Sequence, residues 1–92
     1  NYMTYYNLND IKQSIFDLTD AKNKIKISFE KAISSLIQSD REIGCLLSGG
    51  LDSSLVSSCT SKILQKYGKK LKTFSIGIPG ATDELYAKMV AN

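Results

Sequence analysis

Between Ile25 and Ile37, the apolar residues Ile25, Phe29, Ala32, Ile33, Leu36 and Ile37 return at i, i+4, i+7, i+8, i+11 and i+12, tracing one face of an α-helix. The spacing predicts a helix over Thr19 to Ser39, with Thr19 or Asp20 able to cap its first turn. Lys22, Lys24, Lys26 and Lys31 fall mainly away from that face, as in a helix that covers a sheet. After the polar connection Ser39-Asp40-Arg41-Glu42 the period changes. Ile43 to Leu47 is a continuous apolar run, typical of a strand buried on both faces of a parallel sheet. The run stops at Ser48, two glycines follow, and a second helix is predicted from Asp52 to Tyr67. Leu55, Val56, Cys59, Ile63 and Leu64 form its buried side, and Gly68 suits the left-handed residue that ends it. Leu71 to Ile78 alternates, with Leu71, Thr73, Ser75 and Gly77 on one face and Phe74, Ile76 and Ile78 on the other, which predicts a second strand. Pro79-Gly80 marks a turn, Thr82 or Asp83 can cap, and a third helix is predicted over Glu84 to Ala91 on Leu85, Ala87 and Val90.

The order helix, strand, helix, strand, helix is the start of a doubly wound α/β domain with a parallel sheet. Two strands do not complete such a sheet, so either further strands lie beyond Asn92 or the chain is not stable alone. The chain opens at Asn1 and closes at Asn92 inside a predicted helix, and the expectation is a piece of a longer protein. Residues 1–18 read as a lead-in or linker from a preceding domain, and residues 19–92 as the N-terminal part of the α/β domain. Within the lead-in, Asn1 to Asn7 carries Tyr2, Met3, Thr4, Tyr5 and Tyr6 and suits an extended segment or an edge strand. Asn9 to Leu18 places Ile11, Ile15, Phe16 and Leu18 at partly helical spacing over too short a length, and is taken as irregular.

Composition narrows the chemistry mainly by exclusion. The sequence has no histidine, which removes any Ser-His or Cys-His nucleophile pair and any histidine metal site from this chain. The net charge of +3 comes from lysines scattered along the chain, with one pair at Lys69-Lys70. That is a solvated face with a mild preference for anions, not a nucleic-acid footprint, which would cluster on one element. Cys45 and Cys59 sit in apolar segments without metal-ligand spacing and read as small buried residues in a reducing compartment. No apolar run is long enough to span a bilayer and no signal-peptide pattern opens the sequence, so a cytoplasmic protein is expected.

The chemistry concentrates at Ser48-Gly49-Gly50-Leu51-Asp52-Ser53-Ser54. A strand turning tightly into a helix leaves backbone N–H groups without partners at the positive end of the helix dipole, a ready anion site. Gly49 and Gly50 remove Cβ atoms where a phosphate would approach the backbone, and Ser48, Ser53 and Ser54 add hydroxyls. A carboxylate among phosphates repels them unless a divalent cation intervenes, so Asp52 points to Mg²⁺. The stretch is not a Walker A loop, since no lysine occurs between Arg41 and Lys62, and it lacks the G-x-G-x-x-G dinucleotide spacing. In an open α/β sheet ligands bind outside the carboxyl ends of the strands, which here are Ser48 to Ser54 and Gly77 to Asp83.

Ser48 to Ser54 resembles the pyrophosphate loop of the PP-loop ATP pyrophosphatase superfamily, whose members cleave ATP between its α and β phosphates. With Asp40 to Val56, Leu71 to Gly77 and Gly80-Ala81-Thr82-Asp83 included, the layout from about Ala21 to Asn92 is similar to the synthetase domain of the glutamine-hydrolysing asparagine synthetase family. The resemblance implies ATP and Mg²⁺ as cofactors, aspartate activated as β-aspartyl-AMP with release of pyrophosphate, and ammonia delivered from glutamine by a glutaminase domain on the same full-length chain. It implies that Ser48, Gly49, Gly50, Asp52, Ser53 and Ser54 hold the pyrophosphate portion, with Asp52 on Mg²⁺. Leu47, Ile76 and Gly77 match positions at the adenosine, and Asp83 matches an acidic position in the following loop. Neither Cys45 nor Cys59 matches the family's N-terminal glutaminase cysteine, and its later acidic and lysine-bearing motifs would follow Asn92, so no turnover is expected of this segment alone. Other PP-loop enzymes, such as β-lactam, GMP or NAD synthetases or tRNA-thiolating enzymes, and a non-catalytic nucleotide-binding module are the rival readings.

Overall fold

The computed structural model describes residues 1–12 and 17–92. Three helices and two strands follow one another as α1 (Leu18–Leu36), β1 (Gly44–Leu46), α2 (Leu51–Gln65), β2 (Lys72–Phe74) and α3 (Thr82–Ala91). The order and kind of element match the hydrophobic pattern. The strands are shorter than predicted because ladder bonds form only where the two run side by side. They pair in parallel with Gly44 opposite Lys72, Cys45 opposite Thr73 and Leu46 opposite Phe74. The Leu47 N–H then donates to the Phe74 carbonyl at 2.7 Å, carrying the pairing one step towards the turn.

The cap of α1 lies two residues before Thr19 and three before Asp20, the predicted candidates. The Asp17 carboxylate accepts from the Asp20 N–H at 2.8 Å, so Thr19 and Asp20 lie inside the first turn. Leu18 is therefore the first helical residue, and an apolar residue at that position gives no sequence signal of a boundary. Of the predicted apolar face, Ile33 is buried and Phe29 and Ile37 are half-buried where α1 packs on α2, while Ile25, Ala32 and Leu36 remain exposed.

Helix α2 lies against β1, and its buried line is Ser57, Thr60 and Leu64. The predicted side is rotated: Val56, Cys59 and Ile63 are half-buried and Leu55 is exposed. Small hydroxyl residues let the helix axis approach the sheet closely, an option that a purely apolar count overlooks. The helix ends as expected at Gly68, whose φ of +67° is followed by a Lys69 N–H bond to the Leu64 carbonyl at 3.0 Å.

Burial of β1 on both faces does not occur among the described residues. Ile43, Cys45 and Leu47 face the helices, and Leu47 is 2% exposed. Leu46, on the other face, is 75% exposed, and the Phe74 ring lies over Gly44, where an added Cβ would stand 2.7 Å from Cε2. The helix layer covers one side of the sheet. The second layer that a doubly wound domain carries is not among the described residues.

Helix α3 corrects a second predicted cap. Ala81 precedes it without a side-chain bond, and neither Thr82 nor Asp83 caps. Instead, the Ile78–Ala81 turn closes with Ala81 N–H on the Ile78 carbonyl at 2.9 Å, and the Gly80 N–H donates to Glu84 Oε2 at 3.2 Å. Residues 1–7 are exposed and contain no strand, and Leu8–Asp10 forms one 3-10 turn started by the Asn7 side chain. Ile15 and Phe16 of the expected irregular lead-in lie outside the described residues. No helix of the described residues is long and apolar enough to cross a membrane.

The corrected cap has a measurable consequence. Asp17→Ala is expected to lower stability by about 1 kcal/mol, and Thr19→Ala by much less, in urea unfolding followed by far-UV circular dichroism. Equal losses from the two substitutions would contradict the assignment of Asp17.

Candidate functional site

Because β1 and β2 are parallel, their carboxyl ends lie at one edge of the sheet, and the two predicted chemical stretches leave from that edge together. After Leu47 the chain turns through Ser48, Gly49 and Gly50 directly into α2. The first bond of the helix runs from Ser54 N–H to the Gly50 carbonyl at 3.0 Å. The N–H groups of Leu51, Asp52 and Ser53 consequently have no partner within the helix. Gly50, the N-cap, supplies no side chain to satisfy them. A bare helix start of this kind concentrates partial positive charge at the strand ends.

Two of the three serines shape the turn. Ser53 Oγ accepts from the Ser48 N–H at 3.3 Å, lies 2.9 Å from Ser48 Oγ and donates to the Gly50 carbonyl at 3.2 Å. Ser48 Oγ in turn receives the Gly50 N–H at 3.4 Å. The loop is thus pre-formed by its own hydroxyls, and the groups left over are main-chain N–H. Among the described residues, Ser54 Oγ and, one turn further on the sheet-facing line of α2, Ser57 Oγ are buried without a hydrogen-bond partner. Of the two, Ser54 lies in the first turn, next to the uncapped helix start.

Gly49 has φ of +84°, and an added Cβ would stand 2.6 Å from Tyr86 Cβ and 2.7 Å from the Ala87 backbone nitrogen. Helix α3 is therefore the wall behind the turn. The sequence showed Ala87 only as a core position and Tyr86 not at all. The i, i+5 serine pair was the available signal for the lock between Ser48 and Ser53.

The remaining predicted residues are distributed as follows. Asp52 is exposed in the first turn of α2, beside the free N–H groups. Ile76 is 93% exposed and Gly77 is exposed, in the loop that continues β2 past its pairing. Ile76 lies two residues past Phe74, the last residue of the β2 ladder. Leu47 is buried, so its side chain faces the helices and not the open edge. Asp83 is exposed in the first turn of α3, one turn before Ala87 on the same stripe. Among the described residues no three His, Cys, Asp or Glu groups gather into a metal cluster. Asp52 suits Mg²⁺, which is commonly held by one or two carboxylates together with substrate phosphates. The bare helix start, the orphaned Ser54 hydroxyl and this carboxylate fit a metal-bound polyphosphate.

A cleft of about 290 Å³ adjoins the turn, between Leu47, Thr73 and Ser75 on the sheet and Ala87 and Lys88 on α3. Its far side is held by Glu84, which bonds Lys88 Nζ at 2.7 Å. The hydrogen bond from Lys88, then the Gly80 N–H, then the charge of Lys88 hold the Glu84 carboxyl below the ordinary carboxylate value. Its folded value being lowered, any stabilisation from this exposed pair is present above the unfolded value and is lost as pH falls through the folded one.

Residues 24–92 match the family model described as "Asparagine synthase". Asparagine synthetase (glutamine-hydrolyzing) from Mus musculus is 48% identical over 79 residues, covering 84% of this chain and 14% of that protein. The protein of the same name from Gallus gallus is 45% identical over 78 residues, covering 83% of this chain and 14% of its own length. That from Homo sapiens is 43% identical over 79 residues, with 84% and 14% covered. The chain thus spans about 14% of the length of these curated relatives.

Two outcomes follow from the geometry. Gly49→Ala is expected to lose about 1–2 kcal/mol from the left-handed backbone alone, more with the clash against α3. Gly50→Ala, whose Cβ meets only Ser48 Oγ at 3.5 Å, is expected to lose less. Thermal unfolding of the two variants checks the order, and equal losses would contradict the wall formed by α3. A carboxyl-detected titration is expected to place Glu84 below the ordinary glutamate midpoint and to return it there in Lys88→Met with Gly80 intact only in part, since the main-chain bond persists.

Proposed function

The chain belongs to the asparagine synthase family, and on that premise we propose that it forms the ATP-binding part of a longer glutamine-dependent asparagine synthetase, a ligase built on the PP-loop fold. In this reading the two strands begin a doubly wound sheet whose further strands and second helix layer come from the rest of the polypeptide. The observation that carries the reading is the bare start of α2: three unpartnered N–H groups, the orphaned Ser54 hydroxyl and the Asp52 carboxylate stand at one strand end.

The reaction needs no protein nucleophile. A side-chain carboxylate oxygen of aspartate attacks the α phosphorus of ATP, the bond from that phosphorus to the bridging oxygen breaks, and pyrophosphate leaves with the electron pair. Ammonia derived from glutamine then adds to the carbonyl of β-aspartyl-AMP, and AMP and a proton depart, leaving asparagine. The N–H groups of Leu51, Asp52 and Ser53 bind the β and γ phosphates, and Ser54 Oγ donates to one of their oxygens. Such preorganised donors stabilise charge that grows as the bond breaks, without reorganisation at that moment. Ser48 and Ser53 hold the turn in shape through their mutual bonds. Mg²⁺ on Asp52 would neutralise part of the charge on the leaving pyrophosphate. Ile76 and Gly77 receive the adenosine at the second strand end, Leu47 meets it through main chain, and Asp83 is the further acidic candidate of the site, in the first turn of α3. Cys45 and Cys59 are free thiols, in keeping with a cytoplasmic setting.

The test is exchange of labelled pyrophosphate into ATP by the protein of the relatives' length. Exchange is expected to require aspartate and to fall by at least about 100-fold in Asp52→Ala. Undiminished exchange in Asp52→Ala overturns the metal role of that carboxylate. Exchange that ignores aspartate but follows another acceptor overturns the assignment of substrate.

A further inference from the structure

Helix α3 meets the phosphate turn at Gly49, and two of the three atoms nearest the missing Cβ are main chain. The Cβ site of Gly49 is occupied by Tyr86 Cβ at 2.6 Å, the Ala87 nitrogen at 2.7 Å and the Tyr86 carbonyl carbon at 2.9 Å. Two of these atoms are backbone, so no side-chain rotation relieves the contact, and a shift of α3 is transmitted to Gly49. Ala87 is 4% exposed and also lines the cleft with Leu47, Thr73 and Ser75. A larger residue there moves α3 relative to the sheet and the turn. Displacement of Gly49 reorients the peptide planes of Gly50 and Leu51, where the free N–H groups begin. Asp83 lies one helical turn before Ala87 on the same stripe, so it travels with them.

We propose that Ala87 is a positioning residue for the phosphate turn: its close seat between Gly49 and the sheet holds the N–H groups at the start of α2 and the Asp83 carboxylate in one fixed geometry. The proposal rests on the reading of this turn as the seat of the pyrophosphate portion of ATP. Ala87 has no polar side-chain group to offer a phosphate or a metal, and acts through Gly49. Displacements below 1 Å matter at such sites because each donor must lie at hydrogen-bonding distance from an oxygen whose position the other donors have already fixed.

The protein of the relatives' length provides the test, with magnesium pyrophosphate as the binding probe and the KM for aspartate as the internal control. Ala87→Val is expected to raise the dissociation constant of magnesium pyrophosphate about tenfold while the KM for aspartate changes by less than about twofold. A role in packing alone would lower the melting temperature and the active fraction and leave the dissociation constant of the folded protein unchanged, and that result overturns the proposal. Ala87→Gly, which opens the seat without overfilling it, keeps the question answerable if the valine variant fails to fold. Its dissociation constant is expected to rise about threefold, and an unchanged value overturns the proposal. Wild-type protein that binds no magnesium pyrophosphate overturns the phosphate reading itself, whereas tight wild-type binding with unaffected variants overturns the role of Ala87 alone.

Discussion

The structure turns on a helix that begins without a cap. At the start of α1 the Asp17 carboxylate satisfies a free N–H, whereas α3, like α2, begins without a side-chain cap, its Glu84 carboxylate reaching only Gly80 ahead of the helix. At α2, set directly on the end of a strand, Gly50 leaves three N–H groups unpartnered. Each such group sits at the positive end of the helix dipole, where the partial charge favours an anion, and this is the basis of the proposed phosphate site. A capping side chain at residue 50 would satisfy the helix and occupy the site.

The rest of the chain holds that start in place. Parallel pairing sets Ser48 at the edge, the hydroxyls of Ser48 and Ser53 close the turn, and α3 presses against Gly49 from behind. The buried line of Ser57, Thr60 and Leu64 seats α2 on the sheet. The opposite face, with Leu46 and Phe74 exposed, is apolar surface of the kind that sheets cover. This agrees with a chain that spans about 14% of its relatives' length.

Much of this could be read from residue order. The period of Ile25 to Ile37, the apolar run to Leu47, the alternation after Leu71 and the glycine at 68 each named an element correctly, because each reports burial within a few residues. The candidate turn was legible for a similar reason, since Ser-Gly-Gly-Leu-Asp-Ser-Ser is local in sequence and its chemistry is carried by backbone. Caps were misplaced by one to several residues because Asp17, Thr19 and Asp20 are equally suitable by type, and only the helix path chooses between them. The wall formed by Tyr86 and Ala87 was invisible, since nothing in their types marks contact with a glycine thirty-odd positions earlier. The internal use of Ser48 and Ser53 was likewise hidden: composition counts hydroxyls and does not say which are already bonded.

The central claim is that the start of α2 binds the phosphates of ATP through main-chain N–H. A crystal structure of the protein of the relatives' length with magnesium pyrophosphate tests it most directly. Phosphate oxygens are expected within about 3 Å of the Leu51, Asp52 and Ser53 nitrogens, with the metal on Asp52. Pyrophosphate bound elsewhere on a protein whose α2 start remains bare would contradict the claim.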